Sequence, residues 1–173
     1  MRKSILTAAF VFITLHSLAL AQSKPEFPAG WKPATVSDYS AEDLSFQKQR
    51  VPNHVEADFN GDGIADHAWI LINTSKNAFG LFVFQGQKDG NHKTVALDEH
   101  KRETDKLFMG ISIAEPGQYI TACGKGYWDC KDNEPEVLKL NLPGINFFAS
   151  ESANSVFYWN FRKKELTRVW MSD

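Results

Sequence analysis

The chain has 173 residues, 43% of them hydrophobic and 13% aromatic, with a formal net charge of −2. That length suits one domain, and the aromatic content can fill its core with large side chains. A mildly acidic chain with no basic run lacks the electrostatic footprint of a nucleic-acid or anionic-lipid binder.

Arg2 and Lys3 open the chain, Ile5 to Leu20 is mostly apolar, and Ala19-Leu20-Ala21 forms an A-x-A cleavage signal. Residues 1–21 are therefore expected to be a secretory signal peptide of bacterial type, with the mature chain starting at Gln22. Losing Arg2 and Lys3 takes the net charge from −2 to −4. No cysteine follows the cleavage site, so a lipid anchor is not expected. No later segment approaches the length of a membrane span. The expected location is the periplasm or the outside of the cell.

Residues 22–36 hold three prolines and a glycine and read as an extended, irregular lead-in. Residues 37–173 then read as a single β domain. Ser37 to Asp43 offers helix N-cap residues, and Leu44 to Arg50 is expected as a short helix that ends before Pro52.

From Val55 the pattern turns to strands. Val55–Ala57, His67–Ile72, Phe79–Phe84, Lys93–Leu97, Gly110–Ala114, Gln118–Cys123, Glu136–Leu142, Ser155–Phe161 and Leu166–Met171 are short and rich in aromatic and β-branched residues. The predicted class is mainly β: antiparallel sheets forming a sandwich, a partly closed barrel or stacked meanders, with one short N-terminal helix. Alternation from Phe157 to Phe161 predicts Phe157, Trp159 and Phe161 on one face.

Between the first two strands lies Asp58-Phe59-Asn60-Gly61-Asp62-Gly63-Ile64-Ala65-Asp66. Oxygen-bearing side chains fall at the first, third, fifth and ninth places: Asp58, Asn60, Asp62 and Asp66. Ile64 at the seventh place can lend its backbone carbonyl, and Gly63 at the sixth permits a sharp bend. Three crowded carboxylates call for a hard cation, and Ca2+ takes six to eight oxygen ligands. An EF-hand loop requires a bidentate Glu at the twelfth place, which here is Trp69, and β-formers follow instead of a helix. The competing reading is a bare hairpin turn at Asn60-Gly61 and Asp62-Gly63, which leaves four spaced oxygen ligands without a purpose. An ion bound at roughly 10⁻⁴–10⁻³ M, as in many exported modules, acts as a structural staple.

The D-x-N-x-D-G-x-x-D pattern resembles the calcium loop of FG-GAP and VCBS-type repeats, the blade repeats of integrin-α-like propellers. The resemblance covers Val55 to Ile72 and implies Ca2+ ligation by Asp58, Asn60, Asp62, Ile64 and Asp66. One loop is too few for a complete propeller. The segment Ala-Cys-Gly-Lys-Gly-Tyr-Trp-Asp-Cys, ending at Cys130, is similar to one in small uncharacterised exported bacterial proteins.

Cys123 and Cys130 are the only cysteines, and an oxidising compartment makes their disulfide the expected pairing. A metal or redox pair would show two-residue spacing. The short loop limits the entropic gain to roughly 2–3 kcal/mol. Within it, Lys125, Tyr127 and Trp128 form a candidate contact surface, because aromatic side chains on a pre-stiffened loop lose little entropy on binding. The alternative is that Tyr127 and Trp128 fold back as a lid over the sheet.

His54, His67, His92 and His100 show no paired spacing, so no zinc site is expected. No G-x-S-x-G turn marks a nucleophile. The expected function is a calcium-stabilised binding module whose partner is another envelope or extracellular protein. One specific form is an inhibitor or immunity protein against a cell-wall-degrading enzyme. A hydrolase of envelope polymers, using paired carboxylates, is the alternative from a different class.

Overall fold

The computed structural model describes residues 24–41, 44, 53–131, 134–149 and 152–172. The expected signal peptide lies outside the described residues. So does most of the expected Leu44–Arg50 helix, of which only Leu44 is described, and it is helical.

Eleven strands form three antiparallel sheets among the described residues. The first sheet contains β1 (Lys32–Pro33), β2 (His54–Ala57), β3 (Asp66–Asn73), β4 (Ala78–Gly86) and β5 (His92–Lys101). Its order is β1-β3-β4-β5, and β2 also pairs with β3. β1 and β2 share one edge of β3: Pro33 pairs with Leu71, while His54 pairs with Trp69. The second sheet has the order β11-β10-β9-β6, from Glu165–Ser172, Asn154–Asn160, Gly144–Ala149 and Met109–Ala114. A two-stranded ribbon joins β7 (Gly117–Ile120) to β8 (Val137–Leu140).

The two larger sheets pack face to face. Ala68, Ile70, Ile72, Leu81 and Val83 of the first meet Ile111, Ile145, Phe147 and Phe157 of the second in one buried cluster. The even-numbered residues of β3 point into this core, as a period of two requires. Its odd-numbered residues face outward and are covered as well: Trp69 and Leu71, together with Phe82 and Phe84 of β4, pack against Phe27 and Trp31. Phe27 meets Trp69 and Phe84 edge-on, each at 5.5 Å between ring centroids, and Trp31 meets Phe82 at 4.7 Å. The lead-in thus covers the outer face of the first sheet. The ribbon does the same for the second, where Leu138 and Leu140 pack on Val156, Val169 and Met171.

Phe161 departs from the expected alternation. β10 ends at Asn160, and Phe161 sits 61% exposed in the following turn. The Asn160 side-chain oxygen accepts hydrogen bonds from the amides of Arg162 and Lys163, both at 3.1 Å. This local side-chain bonding bends the chain where strand periodicity would have carried on.

Candidate functional site

β2 and β3 form a hairpin whose connection is the aspartate-rich loop. Phe59, fully buried, anchors the loop in the core. Gly61 and Gly63 adopt positive φ of 78° and 83°, a region that glycine enters without steric cost. The loop amides turn inward. Asp58 accepts from the amides of Gly61 at 2.7 Å, Asp62 at 3.2 Å and Gly63 at 2.8 Å. The Asn60 side-chain oxygen accepts from the Asp62 amide at 2.9 Å, and the Asp62 carboxylate from Ile64 at 2.8 Å.

Asp66 closes the loop from the first position of β3 and is fully buried. One carboxylate oxygen accepts from the Phe59 amide at 3.1 Å, the other from the Gly86 amide at 2.9 Å. Burial pushes its pKa up from 3.8 to about 6; those two amides pull against the shift, and the charges of Asp62 and Asp58 add to it. The carboxylates therefore lie close enough to repel one another. The expected Ca2+ ligands Asp58, Asn60, Asp62, Ile64 and Asp66 thus fall on one loop, where both carboxylate oxygens of Asp58 and of Asp66 accept backbone amides.

The same hairpin carries a second cluster on its other face. His54 and Glu56 are two residues apart on β2, so they share a face. The register sets His54 opposite Trp69 and Glu56 opposite His67. Nε2 of His54 lies 3.3 Å from Nδ1 of His67, which lies 3.5 Å from Oε2 of Glu56. Donor atoms of the three residues all fall within 4.8 Å of one another. The His54 ring stacks on Trp69 at 3.9 Å. The His92 ring approaches His67 at 5.6 Å, and its Nε2 is buried with no hydrogen-bond partner among the described residues. Burial lowers the pKa of His54, and His67 lowers it further against the opposing pull of Glu56. Burial and then His67 lower that of His92.

The four histidines show no paired spacing along the chain, yet the fold brings His54, His67 and His92 together. Pairing across a hairpin joins residues equidistant from the turn, a relation that spacing along the chain does not display. The available signal was the sequence itself: folding it between Gly61 and Asp62 sets 54 against 69 and 56 against 67.

Cys123 and Cys130 form the expected disulfide, with Cα atoms 5.0 Å apart. The enclosed loop is pinned at several points. Lys125 donates from Nζ to the Met171 carbonyl at 2.7 Å, and the Tyr127 amide to Ala122 at 3.1 Å. A Cβ on Gly124 would lie 2.1 Å from the Glu136 carbonyl oxygen, so only glycine fits there. Of the three candidate contact residues, Tyr127 is 55% exposed. Trp128 is half-buried, and its Nε1 donates to the Glu134 carboxylate at 3.2 Å. Ile120 and Val137, directly paired in the ribbon leading to this loop, are 55% and 42% exposed.

Comparison with protein-family models, curated proteins and solved structures found no match. No helix among the described residues is long and apolar enough to cross a membrane.

Proposed function

We propose that this chain is a calcium-stapled protein-binding module acting in the periplasm or outside the cell. In this reading, Ca2+ in the 58–66 loop holds the β2–β3 hairpin, and the disulfide loop meets the partner. The observation that carries it is Tyr127, a large aromatic side chain 55% exposed on a loop closed by a disulfide and tied down at Lys125. Such a side chain pays little ordering entropy on association. The exposed Ile120 and Val137 extend the apolar surface toward the ribbon.

The test is a pull-down from envelope extract with and without Ca2+, using the wild type and Tyr127→Ser. A partner retained by the wild type and lost by the variant supports the reading. Equal recovery by both variants, or no partner under either condition, contradicts it.

A rigid projecting loop also fits a narrower form, an inhibitor or immunity protein that covers the cleft of a cell-wall-degrading enzyme. Protection of cells from a cognate hydrolase, abolished by Tyr127→Ser, distinguishes this form from a general assembly module.

A further inference from the structure

We propose that His54, Glu56 and His67 form a binding site for a borderline divalent transition-metal ion, with Zn2+ as the reference ion, and that His92, which lies outside the 4.8 Å group, turns in as a fourth ligand when the ion binds. The site is separate from the oxygen-lined loop and does not rest on the calcium reading.

Distance is the first argument. Ligands about 2.0–2.1 Å from a tetrahedral zinc ion lie roughly 3.3–3.5 Å from each other. Two of the separations, 3.3 Å from His54 to His67 and 3.5 Å from His67 to Glu56, fall in that range.

Proton supply is the second. Nδ1 of His67 faces both Nε2 of His54 and Oε2 of Glu56. A neutral imidazole nitrogen is either a donor with one hydrogen or an acceptor with one lone pair. A hydrogen on Nδ1 can point well at only one of these partners, and without it Glu56 has no donor there. A single cation among the three atoms satisfies all of them together.

The surroundings add a third. Stacking on Trp69 fixes the plane of the His54 ring, and paired β-strands hold all three side chains on a rigid support. Gly86, which pairs with His92, places no side chain between His92 and His67. The buried Nε2 of His92 lacks a partner, and coordination would give it one. Two or three imidazoles and one carboxylate select Zn2+, Cu2+ or Ni2+ over Ca2+. Glu56 is 54% exposed, so the ion would be reachable from solvent and could hold a water molecule.

The experiment is calorimetric titration of Zn2+ into the tag-free mature chain in millimolar Ca2+, which competes for carboxylate-only sites. Saturable uptake of one Zn2+ per chain is expected. His67→Gln and Glu56→Gln should each weaken it at least about tenfold, since even outer partners of metal ligands have effects of that size. His100→Gln, whose ring stacks on Phe79 instead, should leave it unchanged. Circular dichroism checks each fold, and half-exposed Glu56 keeps the test open if His67→Gln fails to fold. No saturable uptake, or uptake unaltered by Glu56→Gln, overturns the site and leaves a histidine–histidine hydrogen bond. Unaltered affinity in His92→Gln overturns the fourth ligand alone.

Discussion

Asp66 and His67 are consecutive residues of β3 that serve opposite faces of the first sheet. The Asp66 carboxylate closes the aspartate-rich loop from the core side, accepting the Phe59 and Gly86 amides. The His67 imidazole turns outward to Glu56 and His54. Strand alternation thus separates an oxygen-rich cluster from a nitrogen-rich one by a single residue.

The raised pKa of Asp66 sets a pH dependence with a definite sign. The folded chain keeps a proton that the unfolded chain releases, because burial and then the nearby carboxylates carry the group from 3.8 to about 6. In metal-free protein this stabilisation is complete below about pH 3.8 and is lost as the pH rises through about 6. A shift of that size corresponds to about 3 kcal/mol. In the proposed calcium reading the ion binds the ionised carboxylate, so its stabilising effect should grow between pH 4.5 and pH 7. His54 and His92 act in the other direction: their lowered pKa values cost stability as the pH falls below 6.5. That cost is common to both arms of a comparison with and without Ca2+. Urea unfolding at the two pH values measures the difference, and an equal calcium effect at both contradicts the assignment of Asp66.

Two glycines of the disulfide loop should behave differently. Gly124→Ala drives a methyl group against the Glu136 carbonyl and should cost at least about 2 kcal/mol or prevent folding. Gly126 has φ +81° but open space around its Cβ position, so Gly126→Ala should cost only about 1 kcal/mol from backbone strain. Thermal unfolding ranks the two, and a reversed order contradicts the packing described for residues 121–128.

Arg168 links the sheets at their open edge. Its guanidinium lies 2.6 Å from Asp98 of β5 and 4.0 Å from the Trp170 ring centre, and its Nε donates to Ser155 at 3.0 Å. Both partners are partly shielded, with 27% and 15% of the side-chain surface exposed. A double-mutant cycle with Asp98→Asn and Arg168→Met should give a coupling of about 1–2 kcal/mol, above the range of exposed ion pairs. Coupling below about 0.3 kcal/mol means that the pair is not a clamp.

Most strands were legible because Trp69-Ile70-Leu71-Ile72 and Phe79 to Phe84 combine β-forming side chains with turn residues on either side. β9 was missed: Asn146 interrupts the apolar run, and only the structure shows it donating to Ser112 at 2.9 Å. The expected strand Gln118–Cys123 stops at Ile120. Beyond it Thr121 is fully buried, with its hydroxyl 2.7 Å from the Pro135 carbonyl, so a tertiary contact overrides the local preference. The loop oxygens could be grouped from sequence because Asp58, Asn60, Asp62 and Asp66 are neighbours in the chain. The histidine cluster could not, because it depends on hairpin register. Trp128 was grouped with Tyr127 by residue type, but the bond to Glu134 holds it against the loop.

The most direct test of the calcium loop is the melting temperature of wild type and Asp62→Ala, each metal-free and in 10 mM Ca2+. Asp62 is the informative position because it is exposed and, among the described residues, accepts only the Ile64 amide, whereas Asp58 holds three amides and shapes the loop itself. With an affinity of roughly 10⁻⁴–10⁻³ M, calcium should stabilise the wild type by about 1.4–2.7 kcal/mol. The account predicts that most of this gain disappears in Asp62→Ala while the metal-free melting temperatures stay close. A wild type indifferent to calcium, or a variant stabilised as strongly as the wild type, would contradict it.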